Sequence, residues 1–489
     1  MLPQRNHGSK VRLPDPRDIP PPRPEFRAEP QRSRPMLHRV ASLVIPTVLL
    51  IPSVALATNG MNPISFGARA AGMAGADTAV ATDSHAMNTN PAGITQFEHR
   101  ADLGVSLLMP KLTLTDWVTT PQGKMQLNDK LESESMLFPL ISAGYAQHVG
   151  RNFHLGLGFY VQGGMGAEFL KANTFVDDDP TTNLATQPSP ATYDTSSQVS
   201  YFKLTPTVAY RFEDLIKGFD LSVGAALNVG MANMKFKHSG FQFPEPDTDG
   251  VYQAHEVDFE SDPAYGFAAR FGLLASLLDG RLSVGASYQS KAVLNFDGTT
   301  TMDGRLKYAS SAEFGWPQEL AGGVSGRPIE PLLLSVDVRW IQWSDVVDVV
   351  TFEGDAIGAV PAGYEKQNMP FDMGWSDQVV VAFGAELAVI PETLRLRAGY
   401  NHGSSPVKGE GINALFPAVT QDHVTGGVGV TVTEGLMIDG ALEYAFENAV
   451  AANGQNQMTR QPGTTSPNGY GFEVAMKQTT VHLGASYEF

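Results

Sequence analysis

Cysteine is absent from the 489 residues, which excludes disulfides, thiolate metal ligands and cysteine nucleophiles. Long apolar runs are nearly absent too. The one candidate, Val40 to Leu56, is interrupted by Pro46 and Pro52. A membrane-spanning helix needs about 20 consecutive apolar residues, so nothing after residue 57 qualifies. With a mean hydropathy of −0.12, a helical membrane protein is excluded. A β-barrel is not, because only alternate residues of its strands face lipid. Basic residues are scarce: 34 Lys and Arg stand against 51 Asp and Glu. Residues 1–57 hold 9 of the basic and 4 of the acidic groups, so the remainder carries 25 against 47, a net −22. Nucleic acid is not an expected partner for such a chain. There is no Walker A loop, no H-E-x-x-H and no Gly-x-Ser-x-Gly elbow. No enzymatic activity, metal or cofactor is therefore expected. A barrel hydrolase would need a serine and a histidine brought together in space.

What is present is alternation. The chain ends Val481-His482-Leu483-Gly484-Ala485-Ser486-Tyr487-Glu488-Phe489. Val481, Leu483, Ala485, Tyr487 and Phe489 share one face of an extended strand, and the polar residues share the other. A final strand with an apolar face and a terminal aromatic suits a transmembrane barrel. Its last strand closes on its first, and aromatics belong at the bilayer interface.

Residues 1–35 contain nine prolines and no hydrophobic periodicity. They read as a disordered extension, and Met36 as the expected true start. Residues 36–57 have a basic start, an apolar middle and an Ala55-Leu56-Ala57 end. That is the pattern of a secretory signal peptide cleaved after Ala57; the alternative is an uncleaved anchor. Residues 58–97 are rich in Gly, Ala, Asn and Asp, small residues that allow close packing in a confined space. From 98 to 489 the pattern is strand after strand, about fourteen in all by a coarse count. Clear strands are 153–160, 220–228, 332–340, 378–387, 394–400 and 424–432. Asp279-Gly280, Pro391-Glu392 and Glu434-Gly435 read as tight turns. Stretches 170–198, 237–262, 297–312, 350–374 and 450–469 read as long outer loops. Alternation directs Asp337, Arg339, Glu386, Arg395, Arg397, Asp439 and Glu443 into the lumen. Arg or Lys on the lipid face near the midplane costs roughly 2–4 kcal/mol.

The segment Gly67-Ala68-Arg69-Ala70-Ala71-Gly72-Met73-Ala74-Gly75-Ala76, with Asp83 and then Asn90-Pro91-Ala92-Gly93, resembles the N-terminal plug of FadL-type outer membrane transporters. Further matches are Gly164-Met165-Gly166-Ala167-Glu168-Phe169, Leu204 to Arg211, Trp375 to Gln378, and Leu396 to Tyr400 with Ser405-Pro406 after it. The resemblance covers about residues 58–489. It implies an all-β protein: a transmembrane antiparallel barrel of about 14 strands around a small, partly helical hatch. It also implies passive uptake of a hydrophobic ligand, a long-chain fatty acid first and an aromatic hydrocarbon as the alternative. The ligand would be captured outside and held in an apolar pocket. After the hatch moves, it would leave sideways into outer membrane lipid. A monomer is expected.

Each motif also has an ordinary reading. Asn90-Pro91-Ala92-Gly93 is a hatch motif in this context and a common turn outside it. Gly163, Gly164 and Gly166 interrupt a strand, so they mark either a lateral-exit kink in the third strand or a plain strand end. The lumenal charges pair with one another or hold the hatch in preference to binding ligand. Acidic residues 177–179 and 245–249 read as solvated loops, without the spacing of a calcium loop. A general porin and an adhesive barrel are the competing functions.

Overall fold

Alternation of apolar and polar residues builds strands that are wettable on one face only, and such strands are stable once they close. In the computed structural model they do close. The structure describes residues 59–489 except 82, 121–122, 177–188, 243–253 and 457–469. The expected disordered extension, signal peptide and cleavage site, and both acidic loops, lie outside the described residues.

The barrel has fourteen antiparallel strands. They are β1 (His99–Thr120), β2 (Gly123–Glu132, then Phe138–Gly150), β3 (Phe153–Val176), β4 (Ser189–Ile216) and β5 (Phe219–Gln242). Next come β6 (Ala254–Ser261, then Ala264–Leu277), β7 (Leu282–Gln289, then Ala292–Met302) and β8 (Leu306–Trp316, then Glu319–Ile329). β9 (Leu332–Ile341, then Val349–Ala356), β10 (Lys366–Asp372, then Gln378–Ile390) and β11 (Leu394–Gly403) follow. The last are β12 (Asp422–Thr433), β13 (Leu436–Ala451) and β14 (Gly471–Glu488). Closure runs from Arg100 opposite Glu488 to Trp117 opposite Gly471. Phe489 donates its N–H to the His99 carbonyl at 3.0 Å. Its ring meets Tyr487 and Tyr145, an aromatic cluster at the short-turn rim.

Leu396, Tyr400, Val336 and Val338 are exposed outward, while Asp337, Arg339, Glu386, Arg397, Asp439 and Glu443 are buried inside. Arg395 lies between these extremes, its side chain 23% exposed. The three tight turns fall between strands as read.

The long-loop reading needs correcting. Most of 170–198, 237–262, 297–312 and 350–374 is strand where described. Phe175 pairs with Pro190, Thr299 with Ala309, and Phe352 with Met369. These extensions carry polar residues on their outer face, so they show no lipid-facing stripe. Their buried face is mixed: Phe259, Met302, Phe352, Met369 and Phe371 lie there together with Thr300, Ser310 and Gln367. A stretch not expected as a long connection, 404–421, runs between β11 and β12 and buries Val407, Ile412, Leu415 and Val419.

Candidate functional site

Residues 59–97 form no strand. They make a five-residue helix, Ala68–Gly72, and two 3-10 turns, Ser84–Asn88 and Pro91–Gln96. Nearly every one of these residues is buried, against the inward faces of the strands.

Asn90 caps the last 3-10 turn. Its Oδ1 accepts the Ala92 N–H at 3.2 Å. Its Nδ2 donates to Thr78 O at 2.8 Å and to Leu273 O of β6 at 2.9 Å. One side chain thus holds the turn, the preceding loop and the wall together. Pro91 occupies the first position of the turn, where its missing N–H costs nothing. Gly224 of β5 and Gly272 of β6 face each other across the ladder. A Cβ on either would run into the Asn90–Ala92 stretch, so this pair makes a flat seat for it. A Cβ at Gly93 would run into Ala81 and Ala86.

The lumenal charges named from the sequence form three separate clusters. In the first, Glu386 accepts from Arg69 Nη2 at 2.7 Å and from Arg397 Nε at 2.7 Å. Arg397 Nη1 reaches Asp439 at 2.6 Å, and Arg395 lies 3.8 Å from Glu386. In the second, Asp337 Oδ2 accepts the N–H groups of Asp77 and Thr78 at 2.9 and 2.7 Å. Arg339 pairs with Asp77 at 3.0 Å and donates to the carbonyls of Ile64 and Gly75. Burial pushes the Asp77 carboxyl up to about 7, with Arg339 beside it pulling the other way. In the third, Glu443 bridges His423 and His482, each at 3.1 Å, and His482 Nδ1 meets Ser106 Oγ at 2.8 Å. The first two clusters grip the N-terminal segment. The third is a buried wall network.

Sequence reading missed further attachments. Asp102 accepts the Ser84 N–H at 2.8 Å, and Arg270 Nη1 donates to Thr89 O at 2.8 Å. Asn88, Gln162, Asn62 and the Trp316 indole form a hydrogen-bonded chain. Alternation carried the signal for Asp102 and Arg270, since each is buried next to an outward apolar neighbour, Leu103 and Phe271.

Gly163 and Gly164 sit at an interruption of the wall. On one side, Phe138–Ile141 of β2 pair with β1. On the other, β2–β3 pairing stops at Ser142 opposite Tyr160. Contact resumes higher up, where Glu134 N donates to Glu168 O at 2.9 Å. The β3–β4 register shifts between Val161 and Gly163. The Gly164 N–H donates to the Met61 carbonyl at 3.2 Å, so the N-terminal segment stands in the interruption. A Cβ at Gly163 would run into that carbonyl, and one at Gly164 into Val199 O of β4. Gly166 lies past the shift, in regular register with Gln198.

Above this level the lumen contains an apolar hollow. Met234, Phe236, Phe314, Val350, Phe352, Phe371, Met373 and Phe416 line a narrow hollow without a charged group. Below it, Tyr201 stacks on Trp316 at 4.6 Å, followed by Trp343 and Trp375.

These features define a class: a fourteen-stranded transmembrane barrel, apolar outside, with an apolar inner hollow and an interruption in its wall. The family described as outer membrane protein transport protein (OMPP1/FadL/TodX) matches residues 48–489, and the chain belongs to it. It is an outer membrane transporter of hydrophobic compounds, not an enzyme. No curated protein sequence matches the chain. Among solved structures, the Ralstonia pickettii toluene transporter TbuX is 17% identical, with a TM-score of 0.61 over 87% of this chain and 99% of that one. The P. putida toluene transporter TodX gives 17% and 0.63 over the same shares. A Pseudomonas aeruginosa FadL homologue gives 16% and 0.64, over 89% and 100%. At such identity these likenesses speak to the fold.

Proposed function

We propose that this chain passes hydrophobic compounds from the cell exterior into the outer membrane without an energy source. The ligand enters the aromatic hollow, where burial of apolar surface supplies the affinity. Residues 59–97 act as a hatch. Their displacement from Gly164 opens the β2–β3 interruption, and the ligand leaves sideways. That route suits a compound that prefers lipid to water.

The observation that carries this reading is the Met61–Gly164 contact within the unpaired stretch of wall. The cysteine-free chain makes the test direct. A Met61→Cys, Gly163→Cys double variant, oxidised in place, is expected to block uptake, and reduction to return it to the level of the Gly163→Cys single variant. Undiminished uptake by a chain demonstrably crosslinked there overturns the lateral route.

Two substrate classes fit the hollow. A long-chain fatty acid fits by its tail. An aromatic hydrocarbon is favoured by one specific observation, the lack of any charged group among the lining residues. The toluene-transporting relatives share the fold and point the same way. Uptake assays with palmitate and toluene separate the two.

A further inference from the structure

We propose that the lumen beside β11 and β12 holds a binding site for a primary ammonium, and that its occupant is the chain's own α-amino group, freed at Thr58. Hydrolysis of the Ala57–Thr58 bond leaves a carboxylate on Ala57 and an ammonium on Thr58. The proposal rests on that cleavage, not on the passage reading.

Two buried acceptors here have no donor. Asn401 of β11 and His423 of β12 stand directly opposite each other, and both are fully buried. Asn401 Nδ2 donates to Ala74 O at 3.1 Å, while its Oδ1 has no partner. His423 Nδ1 lies 3.1 Å from Glu443 Oε1. An ionised carboxylate only accepts, so the proton sits on Nδ1 and Nε2 carries a lone pair. That Nε2 is also buried without a partner. Each acceptor left this way destabilises the fold, and two on facing residues can share one donor group.

Charge selects the donor. Glu443 is held by His423 and His482, and among the described residues no lysine or arginine pairs with it. The other two lumenal clusters each contain arginine. A cation on His423 Nε2 would supply, through the imidazole, the charge that this buried carboxylate lacks. An ammonium brings three donors and no acceptor, which matches a site made of acceptors. A water would satisfy the acceptors and leave the charge uncompensated.

Placement names the occupant. Asn59 is buried and closes a turn with Asn62 through two backbone hydrogen bonds, at 2.9 and 3.3 Å. Its Oδ1 lies against Gly403, two residues from Asn401 and so on the same inward face of β11. That oxygen is a third buried acceptor without a partner. One residue earlier, at a Cα spacing of about 3.8 Å, cleavage creates the ammonium. The uncleaved chain has an amide at that nitrogen, with one donor and no charge. Only the processed chain completes the site, so the lumen reads cleavage.

The test expresses the chain with its leader, purifies the folded protein from outer membranes and labels it with an amine-reactive ester. Mass spectrometry locates each label. Thr58 is expected as the first residue, its α-amine labelled about 10-fold more slowly than the exposed Lys366. Glu443→Gln should raise the α-amine rate about 10-fold. Two serines inserted between Ala57 and Thr58 leave every lumenal residue in place and move the ammonium by about 7 Å. That chain should label equally fast, which keeps the proposal testable if Glu443→Gln fails to assemble. An α-amine as reactive as Lys366 in the unaltered protein overturns the site. So does one that stays slow in both altered chains, since the lumen would then merely enclose it. A first residue other than Thr58 overturns the cleavage on which the site depends.

Discussion

The Met61 carbonyl accepts the Gly164 N–H at 3.2 Å, across the one stretch where β3 has left β2 behind. A residue near the start of the described chain therefore supplies a hydrogen bond that the wall does not. The same Met61 carbonyl lies against Gly163, where any side chain would strike it. Gly163 is small because the segment passes there, and the segment passes there because the ladder leaves it an opening.

Gly163→Leu should accordingly lower uptake severalfold while the barrel still assembles. The added side chain must displace Met61 or the Trp316 ring, and overpacking of this kind costs roughly 1–3 kcal/mol. Heat-modifiable mobility in a gel reports assembly, and uptake of a labelled hydrophobic compound reports passage. Normal uptake with normal assembly would remove Gly163 from the route. Gly164→Val is the contrasting variant. Its side chain meets Val199 O in the β3–β4 ladder, so barrel stability should fall first.

Asn90→Ala removes three hydrogen bonds, to Thr78, Leu273 and Ala92. At about 1 kcal/mol each, the loss is roughly 3 kcal/mol. The strands should survive and the N-terminal segment should loosen. Single-channel recording is expected to show more frequent openings than in the unaltered chain. An unaltered trace would mean that the flat Gly224–Gly272 seat suffices by itself.

Much of this was legible in the sequence because strand geometry has a period of two. Glu386, Arg397 and Asp439 were assigned to the lumen by that alone, and all are buried there. The alternation says which way a side chain points but not what it meets. Nothing local announces that Arg69 lies 2.7 Å from Glu386, 317 positions away. The aromatic hollow was invisible for the same reason, since its lining comes from β5, β8, β9, β10 and the 404–421 connection. The outer strand extensions were read as loops because polar residues dominate their outward face, where no lipid imposes an apolar one.

Glu386→Gln tests whether the first charge cluster tethers the segment. Arg69 loses its carboxylate and Arg397 keeps only Asp439, and breaking a buried pair from one side costs roughly 3–5 kcal/mol. Arg69→Met removes only the segment's half and leaves the Glu386–Arg397–Asp439 chain in place. Thermal unfolding should therefore drop more for Glu386→Gln than for Arg69→Met. Hydrogen exchange over residues 68–76 should rise in both. Protected exchange there in Arg69→Met would show that the pair does not hold the segment.

The second tether should respond to pH through Asp77. Burial raises its folded carboxyl to about 7 from an ordinary value of 3.8, so the attached state binds the proton more tightly than the detached one. Its contribution is fully present below about pH 4 and declines as pH rises toward 7. The Asp337 contacts to the Asp77 and Thr78 N–H groups provide the reporters. Their exchange protection factors are expected to be lower at pH 8 than at pH 5. Asp77→Asn keeps a neutral polar side chain beside Arg339 and should abolish the difference. Protection that rises with pH in the unaltered chain would mean that ionised Asp77, paired with Arg339, is the form that holds.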